Sequence, residues 1–204
     1  MTNSQDALQR LREGNERFVS EVQTGERFLR RMRGAKTNFV QKPFAIIIGC
    51  SDSRVPVEIV FDQDLGDLFV IRVAGNIVAP SQLGSVEFAA AEFDTPLVVV
   101  LGHTHCGAIL GTLERLRRPA EMRSPHLRFI AGRIEPALSG LLAPELGYDR
   151  ETLIRESVRA NVRQSVGHLR KGSQILERLI DSGQLRVVGA EYSLESGRVE
   201  FFDD

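Results

Sequence analysis

Cysteine is scarce in this chain, lysine scarcer than its charge suggests, and long apolar runs are absent. Two cysteines in 204 residues are too few for a disulfide framework, so thiol ligation or catalysis is the expected use of each. Acidic and basic residues number 27 and 26, leaving a net charge of −1, which gives no bulk attraction to nucleic acid or to a membrane surface. No apolar stretch reaches the roughly 18 residues that a transmembrane helix needs. Residues 1–19 are charged and helical in pattern and lack the apolar centre of a signal peptide, so a cytoplasmic location is expected. No internal repeat, low-complexity tract or linker divides the sequence, and a single domain spanning 1–204 is expected. Only Lys36, Lys42 and Lys171 are lysines; the many arginines read mainly as solvated faces.

The apolar residues that are present fall into short blocks. Residues 44–49, 68–73, 97–102 and 185–190 are continuous, rich in β-branched side chains, and bounded by proline, glycine or polar residues. That pattern predicts strands buried on both faces. Helices are expected between them, over 55–61, 81–93, 106–117, 151–170 and 173–180, the last with Ser173 as N-cap and Gly183 near its end. Residues 117–147 hold four of the eight prolines and read as a helix flanked by loops. Strands separated by helices imply an α/β fold with a parallel-core sheet of four to five strands. The expected order is 2-1-3-4, with a possible edge hairpin through the turn at Glu195-Ser196-Gly197. Residues 1–36 read as a helical arm ahead of a core over 37–204. Its first helix covers 6–19, and a second, 26–33, carries Phe28, Leu29 and Met32 at helical spacing. The arm is expected to dock on a partner subunit.

Both cysteines directly follow predicted strands. Cys50 opens Cys50-Ser51-Asp52-Ser53-Arg54, and Cys106 closes His103-Thr104-His105-Cys106. Ligands in open α/β sheets gather beyond the carboxyl ends of adjacent strands, so neighbouring first and third strands would bring both motifs together. Two thiolates and an imidazole are a plausible zinc set, with Asp52 able to fill the fourth position or to accept a hydrogen bond from water there. Three residues apart at a helix start, His103 and Cys106 can reach one metal. His105 competes with His103 but points elsewhere as a neighbour of Cys106; its plain role is a surface or supporting imidazole. His126 and His168 read as surface residues. Arg54 can hold Asp52 in a bidentate pair, which is also a sufficient structural role for both. A nucleophilic Cys50 with Arg54 as oxyanion binder fits poorly. Only three residues separate them, too few for backbone amides to wrap an anion, and Asp52 would repel it.

In the segments QKPFAIIIGCSDSR, GDLFVIRVAGN, GSVEFA and VVVLGHTHCGA, the chain resembles the β-class carbonic anhydrases. The resemblance implies a zinc lyase interconverting carbon dioxide and bicarbonate, with one Zn2+ per chain, built as a homodimer or dimer-based tetramer. It implies Cys50, His103 and Cys106 as ligands and Asp52 with Arg54 as the catalytic dyad. One site type in that family carries a tryptophan three residues before the first zinc cysteine, beside a non-catalytic bicarbonate site. Here Ile47 stands there and the chain has no Trp. Arg72 and Tyr192 match that type weakly. The other type carries a glutamine nine residues before that cysteine, reaching substrate across the dimer interface, and Gln41 matches it. A tyrosine of that type corresponds to Phe88. Phe69, Ala74 and Phe88 are expected either to wall a small dry pocket or simply to pack in the core, and an amide near Gly107 to bind a bicarbonate oxygen. The alternatives are a related zinc hydrolase acting on another small triatomic substrate such as carbon disulfide, and a non-enzymatic zinc-stabilised binding module.

Overall fold

The computed structural model describes residues 3–20, 41–118 and 124–202. Five strands form one sheet in the order β2-β1-β3-β4-β5. They are β1 (Ala45–Gly49), β2 (Leu68–Arg72), β3 (Leu97–His103), β4 (Arg186–Tyr192) and β5 (Val199–Phe201). The first four run parallel, and β5 closes the edge antiparallel to β4. The expected 2-1-3-4 order and edge hairpin are both present. β1 and β3 are buried along their whole length, which is why they read as unbroken apolar runs rather than alternating ones.

The helices are α1 (Ser4–Ser20), α2 (Val57–Val60), α3 (Pro80–Glu92), α4 (Gly107–Arg117), α5 (Pro125–Leu138), α6 (Arg150–Lys171) and α7 (Gln174–Asp181). Their starts follow from local chemistry. Pro80 occupies the first position of α3, where its missing N–H costs nothing. Ser124, Asp149 and Ser173 cap α5, α6 and α7 by accepting from the N–H groups of Leu127, Thr152 and Leu176. The predicted helix over 55–61 is shorter, because Pro56 precedes a four-residue turn.

Side-chain alternation along the strands divides the core. Ile47 and Val99 face Ala7, Leu8, Leu11 and Phe61, on the side covered by α1 and α2. Ile46, Ile48, Val98 and Val100 face Val86, Val162, Leu169 and Leu176 of α3, α6 and α7. A third cluster of Ile77, Ile109, Ile134, Leu138, Leu153 and Val158 surrounds the two cysteines.

The first helix of the arm packs its apolar side on its own chain. Ala7, Leu8 and Leu11 are packed into this chain's own sheet. Gly14 comes so close to α2 that an added Cβ would lie 1.8 Å from the Phe61 carbonyl oxygen. Next to it, buried Asn15 donates to the Val60 and Gly197 carbonyls at 3.0 and 2.8 Å and accepts from Val199 N–H at 2.8 Å. The sequence pattern showed which side of the helix was apolar, not which surface it meets. The second arm helix, expected over 26–33, lies outside the described residues.

Candidate metal centre

Register brings the two motifs together. β1 and β3 are adjacent and parallel, with Gly49 opposite Leu101, so the chain leaves both strands at the same edge of the sheet. Cys50 follows β1 directly. His103 is the last residue of β3, and Cys106 is the N-cap of α4. The expectation that His103 and Cys106 share a helical face is therefore replaced by a turn between strand and helix. His105 takes a left-handed φ of 56° in that turn. It is exposed and pairs with Glu195 at 3.3 Å. His126 and His168 are exposed as well.

The Cys50 and Cys106 sulfurs and a His103 ring nitrogen lie within 4.8 Å of one another, all on buried residues. The two sulfurs are 3.9 Å apart. That is far beyond a disulfide bond of about 2 Å and close to the ~3.8 Å edge of a tetrahedron with zinc–sulfur bonds of about 2.3 Å. His103 is fully buried. Its Nδ1 lies 2.9 Å from the Thr104 carbonyl, an acceptor, which assigns the proton to Nδ1 and leaves the lone pair on Nε2. Nε2 has no hydrogen-bond partner. A buried, unpartnered imidazole nitrogen beside two free thiols is costly without a cation and is a complete donor set with one.

The electrostatics agree. The Cys106 thiol draws the Cys50 pKa down against the opposing effect of burial, while the same contact and burial push Cys106 up. Two thiols sharing one proton behave this way, and metal binding releases that proton. Burial alone would lower His103, but the adjacent Cys50 sulfur and the Thr104 carbonyl raise it.

Asp52 and Arg54 sit at the lip of this cluster. Arg54 Nε donates to Asp52 Oδ1 at 3.0 Å and Nη2 to Oδ2 at 2.7 Å. Hydrogen bonding from Arg54 holds the Asp52 carboxyl well below the usual carboxylate range. Asp52 Oδ2 is 3.8 Å from His103 Nε2. Asp52, considered from sequence as a possible fourth ligand, thus stands with Arg54 beside the three-residue set rather than in it.

Of the remaining sequence candidates, Ala74 and Gly107 neighbour residues of the cluster along the chain. Ala74 begins the one-turn 3-10 segment Ala74–Asn76, whose Gly75 N–H lies 3.4 Å from Cys50 Sγ. Gly107 is exposed at the first position of α4, and Gln41 is exposed at the start of the described core. Phe69 is partly buried, whereas Phe88 is 51% exposed on α3. They stack with Phe93, ring centroids 5.6 to 6.2 Å apart. Phe88 therefore lies on the surface formed by the described residues. Sequence reasoning missed two features. Arg72 donates from Nε to the Cys50 carbonyl at 3.0 Å and from Nη2 to the Asp52 carbonyl, tying the Cys50–Asp52 backbone to β2. The Gly75 amide on Cys50 was the other, and neither follows from spacing. A cavity of about 550 Å3 lies elsewhere, between α1 and the β4–β5 hairpin, and is lined by none of the three candidate ligands.

Comparison with known proteins gives the same answer. The family model described as carbonic anhydrase matches residues 45–199. Carbonic anhydrase 2 of Mycobacterium tuberculosis is 37% identical over 203 residues, covering 99% of this chain and 94% of the relative. A carbonic anhydrase of Mycolicibacterium smegmatis is 37% identical over 201 residues, 98% of this chain and 93% of the relative. Among solved structures, the β-carbonic anhydrase CcaA superposes with a TM-score of 0.74 at 28% identity, over 96% of this chain and 87% of that one. A Coccomyxa β-carbonic anhydrase shares the fold at TM-score 0.71 and 22% identity, over 93% and 83%. With the sheet order, the thiol–imidazole cluster and these relatives in agreement, this chain belongs to the β-class carbonic anhydrases.

Proposed function

We propose that this chain catalyses the reversible hydration of carbon dioxide to bicarbonate and a proton at a zinc ion held by Cys50, His103 and Cys106. The observation that carries the reading is the buried triangle of those three donors with an arginine-held carboxylate at its lip. Zinc in such a site acts as a Lewis acid that brings the pKa of water toward neutrality.

The chain's own residues do the rest. Asp52, kept ionised by Arg54, accepts a hydrogen bond from the reacting water and aims its lone pair at the carbon. With both carboxylate oxygens engaged by Arg54, Asp52 stays off the fourth ligand position. Arg72 holds the Asp52 backbone in place. Ala74 and Phe69 supply apolar surface for an uncharged substrate. The Gly107 amide, at the start of the 11-residue α4, receives a bicarbonate oxygen.

Gln41 serves substrate across a subunit interface. The working form is a homodimer or dimer-based tetramer in the cytoplasm, each chain one domain with an N-terminal arm. No helix among the described residues is long and apolar enough to cross a membrane, and the net charge of −1 favours no nucleic-acid partner.

Stopped-flow carbon dioxide hydration, run with and without a zinc chelator, tests this reading. Activity is expected to require about one zinc per chain and to rise with pH, with a midpoint at or above ~7. A zinc-loaded protein that hydrates no carbon dioxide would leave a binding module, or a zinc hydrolase with another small substrate. A fully active monomer would remove the assignment of Gln41.

A further inference from the structure

Helix α6 carries polar side chains where its packing face is otherwise apolar. Ser157, Asn161 and Ser165 stand at i, i+4 and i+8 and are 0%, 1% and 2% exposed, among buried Val158, Val162 and Val166. Polar groups are retained in such places when a specific partner holds them; Ser157 Oγ has no hydrogen-bond partner among the described residues, but the other two have one on the same turn. Asn161 Nδ2 donates to the Gly75 carbonyl at 2.8 Å, and Ser165 Oγ to the Asn76 carbonyl at 3.0 Å. These are consecutive carbonyls of the Ala74–Asn76 turn.

That turn is under constraint from several sides. Gly75 and Asn76 both take left-handed φ values, 70° and 43°. The first is a conformation that glycine alone adopts freely, and the second is uncommon for any other residue. A Cβ at Gly75 would lie 2.8 Å from Ile134 Cδ1 of α5 and 3.2 Å from Ala108 Cβ of α4. Asparagine is among the non-glycine residues that enter the left-handed region most readily, so the sequence permits the turn and the groups packed on it hold it in place. The N–H of the same Gly75 is the group 3.4 Å from Cys50 Sγ.

We propose that Asn161 and Ser165 are positioning residues of the metal centre. They grip the Ala74–Asn76 turn so that the Gly75 amide stays on the Cys50 sulfur, setting that thiolate's orientation and its donor strength toward the metal. The proposal rests on the zinc reading given above. A hydrogen bond to a ligating sulfur withdraws charge from it, and groups supporting a ligand in this way tune metal affinity by about 10- to 100-fold.

The test uses Asn161→Ala and Ser165→Ala in the full chain, with Gln164→Ala as the comparison. Gln164 Nε2 also reaches from α6 to a backbone carbonyl, that of Arg133 at 2.5 Å, but not to the turn. Two quantities are measured: the zinc dissociation constant by chelator competition, and the thiolate-to-metal charge-transfer band of the cobalt(II)-substituted protein. Asn161→Ala is expected to weaken zinc binding by about 10-fold or more and to shift the band, with a smaller shift for Ser165→Ala. Gln164→Ala should lower the melting temperature and move neither quantity. If Asn161→Ala and Ser165→Ala lose thermal stability yet keep the wild-type zinc affinity and cobalt band, they are only structural and the proposal falls. Should Asn161→Ala not fold, Ser165→Ala decides: a moved band supports the proposal and an unmoved band overturns it. A wild-type protein that takes up neither metal would instead overturn the zinc reading, and this proposal with it.

Discussion

Arg54 grips Asp52 with one edge of its guanidinium, Nε on Oδ1 at 3.0 Å and Nη2 on Oδ2 at 2.7 Å, and its backbone N–H adds a third bond to Oδ1 at 3.0 Å. An ionised carboxylate is thereby fixed 3.8 Å from His103 Nε2 and turned toward the arginine. Through this grip Arg54 decides where the carboxylate beside the Cys50, His103 and Cys106 donors points.

Arg54→Ala should therefore keep about one zinc per chain while lowering kcat/KM by roughly 100-fold, the low end of what a positioned acid–base group supplies. Arg54→Lys should recover only part of the loss, because an ammonium cannot match the fork geometry. Metal analysis beside stopped-flow kinetics separates the two effects. A fully active Arg54→Ala would reduce the pair to a structural ion pair.

Stability should show the same pair through pH. The Asp52 carboxyl lies below its ordinary range in the fold because Arg54 donates to it, so folding favours the ionised form. That contribution is complete above the ordinary carboxylate pKa of about 4 and fades as pH falls through it toward the lower folded value. The wild-type advantage over Arg54→Ala in denaturant unfolding is expected to be larger at pH 7 than at pH 3. Both proteins should be measured in chelator, so that acid release of metal does not enter the difference. An advantage that grows toward acid would contradict the assigned direction.

Cys106→Ser should lose metal and activity together, since a hydroxyl is a poor zinc ligand at neutral pH. Zinc is expected to fall well below one per chain after dialysis, and carbon dioxide hydration to fall with it. Retention of both would remove Cys106 from the ligand set.

The seat of α1 on its own sheet gives two stability predictions. Asn15→Ala strips partners from the buried Val60 and Gly197 carbonyls and the Val199 N–H, and should cost about 2–4 kcal/mol in denaturant unfolding. Gly14→Ala forces a Cβ to 1.8 Å from the Phe61 carbonyl oxygen, so α1 must move off α2. A loss of about 3 kcal/mol or more is expected. Near-neutral results for both would mean that α1 lies elsewhere in solution.

The sequence by itself determined the four core strands, their shared parallel direction and the three metal-ligand candidates. Continuous apolar blocks such as Ile46-Ile47-Ile48 and Val98-Val99-Val100 have one stable use in a chain this size. Two cysteines and a histidine placed directly after such blocks leave the sheet at its carboxyl edge whatever the loops do. Those are short-range facts, set by neighbours along the chain. Only the tertiary structure decided where α1 seats, that Phe88 stays exposed in this chain, that Arg72 ties down the Cys50–Asp52 backbone, and that Asn161 reaches Gly75. Each of these depends on a distance between residues far apart in sequence, and an amphipathic helix face or a lone polar residue carries no record of the surface it will meet. The row Ser157, Asn161, Ser165 was the one legible trace, polar residues at helical spacing among valines. For Asn161 and Ser165 its meaning lay in the Gly75 and Asn76 carbonyls that folding brought against them.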